Sequence, residues 1–185
     1  MNRGTFIRFL NLKRFAVLAT MLLAVHASAA AVNEALYKYG MPIRAVNYAG
    51  TDSLLDFPAL IRLPAVFTAY SLANDGSDLR IADANGMILP IEIEEWNPEG
   101  VSLVWVRMPE LTRNTQVTAY IGSTKPDPVS AESVWSGYAG VYHMDETDTG
   151  AIEIADATGN ANATAHAKSI VMEGVIGLAR GRTDA

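Results

Sequence analysis

Glu92, Glu94 and Glu95 lie in the run IEIEEW at 91–96. On a strand, side chains two residues apart share a face about 7 Å from one another, so Glu92 and Glu94 form a pair of carboxylates. A glycosidase works with such a pair, one acid protonated and one ionised. Nothing in the sequence marks a raised acid or a substrate cleft beside them. The expected role is therefore a solvated strand face, and the expected chain is not an enzyme.

Asp75, Asp78, Asp83 and Asn85 are hard oxygen donors around two turns, which makes Asp75, Asp78 and Asp83 weak candidates for calcium. Their spacing fits no EF-hand loop, and Asp and Asn favour turns for hydrogen-bonding reasons alone. Arg80 is near enough in sequence to pair with Asp78 or Asp75, so a structural ion pair is the expected outcome and no cofactor is required.

Trp96, Trp105 and Trp135, with Tyr37, Tyr39 and Tyr120, offer aromatic surface on which a sugar ring stacks. Aromatic residues on strands more often fill cores. Trp105 is expected in the core. Trp96, at a strand end, is expected to stay exposed, with Glu94 and Arg80 as the polar members of a weak ligand site. His143 is expected to be packed or hydrogen-bonded, not a metal ligand, because His26 and His166 lie in unrelated segments. Ser71, Ser77 and Ser102 lack a glycine elbow and a nearby His-Asp partner, so nucleophilic catalysis is unsupported.

These residues sit in a chain that is acidic overall. The 185 residues carry 14 Lys and Arg against 20 Asp and Glu, and half of them are hydrophobic, enough for a sizeable core. Cysteine is absent, which excludes disulfides, thiolate catalysis and cysteine zinc sites. Arg3, Arg8, Lys13 and Arg14 precede an apolar run from Phe15 to Val25, and Ala27-Ser28-Ala29 has the small-x-small form of a cleavage site. Residues 1–29 thus read as a secretory signal, cut after Ala29 or Ala31. A membrane span wants about 20 apolar residues, more than this run offers. Loss of that segment leaves ten basic residues against twenty acidic ones. Such a charge gives no electrostatic reason to bind nucleic acid or an anionic membrane. Membrane contact is expected only through the signal or through a C-terminal part beyond this chain. Neutral glycans, envelope proteins and cations are the natural partners.

The element that organises the chain is DGSDLRIADANGMILPIEIEEW at 75–96. Leu79 to Ile81 reads as a strand, Asp83-Ala84-Asn85-Gly86 as a tight hairpin turn, and Met87 to Trp96 as one returning strand. Leu89, Ile91 and Ile93 alternate with Glu92 and Glu94, which puts the aliphatics inward. Upstream, strand signals cover Tyr37 to Val46, with an interruption at Gly40-Met41-Pro42, and Leu54 to Leu63, with Pro58 at an edge, bulge or bend. The segment 64–73 reads as a helical turn or a loop. Downstream, Asn97-Pro98-Glu99-Gly100 turns into the apolar strand Val101–Met108, and Thr115–Ile121 alternates once more. Six closely spaced strand signals predict an all-β fold, an antiparallel, jelly-roll-like β-sandwich over residues 32–128. Residues 129–185 have too little apolar material for a core of their own and are expected to be poorly packed.

Leu55-Asp56-Phe57-Pro58, Asp75 through Arg80, Leu89 through Trp96 and Val104 through Pro109 occur in an order that resembles the bacterial family known as domain of unknown function 2341. The resemblance covers roughly residues 36–122. Ile81 departs from the family's usual Phe, and Tyr120-Ile121-Gly122-Ser123 from its usual Tyr-Tyr-Gly-Asn. Val141 through Glu146, Asp156 through Asn160 and Gly174 through Ala179 resemble the opening of a concanavalin A-like (laminin G-like) jelly roll, which implies a linker and an incomplete second β domain over 129–185. The family resemblance implies an exported envelope module, periplasmic or at the bacterial cell surface, that binds a glycan or a protein. Alternatives are the periplasmic segment of a MotA/TolQ/ExbB-type proton-channel system and an ancillary domain of a secreted carbohydrate-active enzyme.

Overall fold

The computed structural model describes residues 30–46, 48–129 and 132–182, so the segment read as a signal lies outside the described residues. Six antiparallel strands build two facing sheets. Tyr39–Arg44 (β1), Gln116–Ile121 (β6) and Arg80–Asp83 (β3) form the first, in the order β1-β6-β3. Leu54–Pro64 (β2), Val101–Leu111 (β5) and Ile91–Glu95 (β4) form the second, in the order β2-β5-β4. The period of two turns Ile61 and Leu63, Val104 and Val106, Ile81, and Val117, Ala119 and Ile121 into one shared core. The expected β-sandwich is therefore present. β2 is an edge strand, so Pro58 removes no ladder donor that another strand needs. Pro64 closes β2, and a single helical turn, Ala65–Thr68 (α1), follows it.

The hairpin at 80–89 forms, but its return arm is shorter than the pattern implied. Asp83 N–H donates to the Met87 carbonyl at 2.9 Å and Leu89 N–H to the Ile81 carbonyl at 2.8 Å, both in the first sheet. Pro90 comes next and has no N–H to continue that ladder. There the chain crosses the core, and Ile91 pairs with Val106 in the second sheet. Met87 to Trp96 is thus two strands in two sheets, not one. Outside Met87 a further rung is added by Ala31, flanked by the bonds Ile88 N–H to Ala30 O at 2.9 Å and Val32 N–H to Gly86 O at 2.8 Å.

Trp96 closes β4 and packs against the core beside Gly76, whose φ of +73° only glycine adopts freely. A Cβ at Gly76 would sit well inside van der Waals contact with Trp96 Cε3. Gly76→Ala is expected to lower stability by about 2 kcal/mol or more, from clash and backbone strain together. A urea midpoint indistinguishable from the parent chain would contradict this.

Beyond Pro128 most described residues are exposed or partly exposed, with a few buried anchors. Val134 and Trp135, in the 3-10 turn Glu132–Trp135, are buried, as is Ile154. Two short ribbons follow, Glu153–Ile154 (β7) with Ala163–Thr164 (β8), and Ser169–Glu173 (β9) with Leu178–Arg182 (β10). Asp156 ties this part together. It accepts from the N–H groups of Val141 at 2.9 Å, Thr158 at 3.0 Å and Ala161 at 3.1 Å and from the Thr158 hydroxyl at 2.7 Å. Those donors, Val141 foremost, hold its carboxyl well below the usual range. Among the described residues no helix is long and apolar enough to cross a membrane.

Candidate functional site

Outward-facing positions of the second sheet gather the carboxylates singled out above. The inward neighbours Ile91 and Val106 are fixed by the core, so alternation turns Glu92, Trp105 and Arg107 to the opposite face. A register shift between Ile93 and Glu95 sets Glu94 beside them. That face is not solvated. Trp135 and His143, from the segment after the sandwich, lie over it.

His143 sits between the two acids. Its Nδ1 is 2.6 Å from Glu94 Oε2 and its Nε2 is 3.5 Å from Glu92 Oε1. Each acid also accepts an indole N–H, Glu94 from Trp105 at 2.8 Å and Glu92 from Trp135. The Trp135 ring meets Trp105 edge-on at 5.3 Å, Tyr138 at 5.8 Å and His143 at 5.5 Å. Arg107 adds bonds to the carbonyls of Val134 at 3.3 Å and Ser136 at 2.5 Å, and a 3.4 Å ion pair with Asp56.

The electrostatics follow from this geometry. Interaction with Glu92 and Glu94 raises His143 to about 10, against the opposing effect of burial. The contact to Glu94 is the shorter and is a true hydrogen bond, whereas Glu92 acts on Nε2 through space. Burial on its own would raise Glu94, but the bonds from His143 and Trp105 outweigh it and leave that carboxyl below its ordinary value. At neutral pH the cluster is an imidazolium held by carboxylates. Its chemistry is that of a clamp, because the Glu94 side chain is 5% exposed and its acceptors are already engaged.

Other residues singled out in the sequence lie elsewhere. Trp105 is not in the sandwich core but on this outer face, since its parity is opposite to that of Val104 and Val106. Trp96 is half-buried against the core instead of exposed, and its Nε1 has no partner among the described residues. Arg80 does not pair with Asp75 or Asp78. It is buried and donates to the carbonyls of Asp127, Leu79 and, at 2.9 Å, Ser77. Burial draws its pKa down, countered by Tyr37, Asp127 and Asp78.

The three aspartates serve separate turns. Asp75 caps Ser77 N–H at 3.0 Å. Asp83 caps Asn85 and Met87 N–H groups at 2.9 and 2.8 Å. Asp78 is buried, and takes the Ser71 hydroxyl, Leu72 N–H at 3.0 Å and Gly122 N–H at 2.9 Å. Among the described residues no three His, Cys, Asp or Glu side chains are grouped as a metal site would require.

Open space appears where sequence reasoning pointed to none. A cleft of about 710 Å³ runs between the Asp83–Gly86 turn and the β5–β6 connection. Leu89, Met108 and Val117 line it from the core, and Asn85, Asn114, Gln116, Thr118 and Tyr120 supply amide and hydroxyl groups. Glu34, Asp83 and Glu110 add negative charge, and Glu34 accepts the Tyr120 hydroxyl at 2.7 Å. No single sequence signal marks this cleft, because its walls come from two turns about 30 residues apart. Asn and Asp at the Asn85 and Asn114 turns read simply as turn chemistry.

Residues 75–166, just under half of the chain, match the family model described as Domain of unknown function (DUF2341). The match begins at the hairpin and runs through the clamp on the outer face, past the boundary expected near Pro128. No curated protein and no solved structure matches the chain.

Proposed function

We propose that this chain is an exported, non-catalytic binding module of the bacterial cell envelope, and that its ligand is a neutral glycan held in the cleft between the Asn85 and Asn114 turns. The observation that carries this reading is the lining of that cleft, amide and hydroxyl groups around an apolar floor. Such a mixture suits a sugar, which offers hydroxyls at its edges and C–H groups on its faces. Glu34, Asp83 and Glu110 disfavour an anionic ligand. A non-catalytic role for the Glu92 and Glu94 pair is supported by their engagement with indole N–H groups and His143. Export is supported by the basic, apolar and small-residue order of residues 3–29.

The test is a glycan array probed with the exported chain, in calcium and in chelator. Binding to one neutral sugar class is expected, and the double change Asn114→Ala with Gln116→Ala should weaken it by roughly tenfold while leaving thermal stability within a degree or two. A silent array from a chain shown folded by circular dichroism would sink the glycan reading and favour a protein partner. Loss of binding only in chelator would bring a metal ion into the site.

A further inference from the structure

The strand order leaves one flank of the sandwich unclosed. On the other flank the chain crosses at Pro90 between sheets, whereas here β1 and β2 are both edges. Between them lies a second cleft of about 360 Å³, lined by Ile43, Ala59, Ile61, Met108, Leu111 and Val117. Four of these, Ile61, Met108, Leu111 and Val117, belong to the buried core. Protein interiors pack at crystal density, and an apolar gap of this size holds water poorly. The volume lies within the range of small-molecule pockets.

Arg44 on β1 and Arg62 on β2 also line the cleft, one on each edge strand. Of the five arginines in the sandwich, Arg80, Arg107 and Arg113 hydrogen-bond backbone carbonyls. Arg44 and Arg62 make no ion pair among the described residues. In a chain this acidic, two unengaged guanidinium groups beside one apolar slot are a chemical preference. Guanidinium groups recognise carboxylates by charge-assisted bonds, and the slot behind them takes hydrocarbon.

We propose that the cleft between β1 and β2 binds a carboxylate-headed amphiphile, a fatty acid, with its chain among Ile43, Ile61 and Leu111 and its head on Arg44 and Arg62. This site abuts the polar cleft at the Asn85 turn and shares Met108, Thr115 and Val117 with it, but Arg44 and Arg62 line this cleft alone, so the arginine variants test it independently. The probe is decanoate, kept below its micelle concentration and titrated calorimetrically into the exported chain, with decanol and decyltrimethylammonium as charge controls. Decanoate is expected to bind more tightly than either. Arg44→Gln with Arg62→Gln should weaken decanoate by roughly tenfold or more and leave decanol unchanged. Ala59→Phe should fill the slot and abolish both. Because Arg44 and Arg62 are exposed, the paired change tests the site without threatening the fold. Equal binding of all three probes, equal decanoate binding by the arginine variant, or no binding to a folded chain would each overturn the proposal.

Discussion

Asp78→Ala is expected to lower stability by about 3 kcal/mol, which for a fold of this size shifts the thermal midpoint by roughly 10 °C. The carboxylate is 2% exposed and receives the Ser71 hydroxyl and the N–H groups of Leu72 and Gly122. Removing it strands those donors without water to replace it, and an unmet buried donor costs more than a made bond contributes. The donors come from two parts of the chain, one near and one distant in sequence. Ser71 and Leu72 follow α1, and Gly122 ends β6 with a φ of +87° that brings its N–H to the carboxylate. Asp78→Asn keeps one acceptor oxygen and should recover part of the loss. Scanning calorimetry on both variants settles the matter, and a shift under 2 °C for Asp78→Ala would contradict it.

His143→Ala should release the segment 132–144 from the sandwich while the six strands persist. The change leaves Glu92 and Glu94 charged, close together and without a cation, at a cost of roughly 2–4 kcal/mol. Limited proteolysis would then cut between Trp135 and Met144 much faster than in the parent chain. Intrinsic fluorescence should also move to longer wavelength as Trp135 meets water. The same clamp carries a pH signature. His143 is raised from an ordinary 6.5 to about 10, so its contribution is complete below pH 6.5 and fades as pH climbs through 10. Glu94 is lowered, so its contribution is present above its ordinary value and is lost as pH falls through the folded one. Docking is therefore firmest between about pH 5 and 7. Protease sensitivity of 132–144 should rise on the alkaline side in the parent chain and stay flat in His143→Ala. His143→Gln, which can keep a hydrogen bond but not the charge, should follow the alanine variant in losing the alkaline titration.

The six strands of the sandwich were legible from alternation, from the apolar run at Val101–Met108 and from turn residues, because each strand buries one parity against a single core. The same rule concealed the crossing at Pro90. Both sheets face that core, so Leu89 and Ile91 stay inward on either side of the switch and the period of two continues without a break. Only the missing N–H of Pro90 pointed to it. Glu92 and Glu94 looked solvated for a different reason. Their cover, Trp135 and His143, lies some 40 to 50 residues further on, in a stretch with no strand pattern to place it. Trp105 was expected in the core on its apolar neighbours, yet on its own strand it shares parity with Arg107, and that signal could have been read. Arg80 was placed by nearness in sequence to Asp78, whereas burial rewarded bonds to carbonyls from the Asp127 loop.

The crossing at Pro90 also bears on how the chain reaches its final form. Of the five connections among the six strands, only that between β4 and β5 stays within one sheet. Every other step sends the chain across the core to pair with a partner not yet beside it, so loop closure precedes most of the reward. Such topologies belong to the slow end of folding, in milliseconds to seconds. During that interval the apolar run Val101–Met108 stands open to other chains, and Arg107 near its end is the charge that discourages them from zipping onto it.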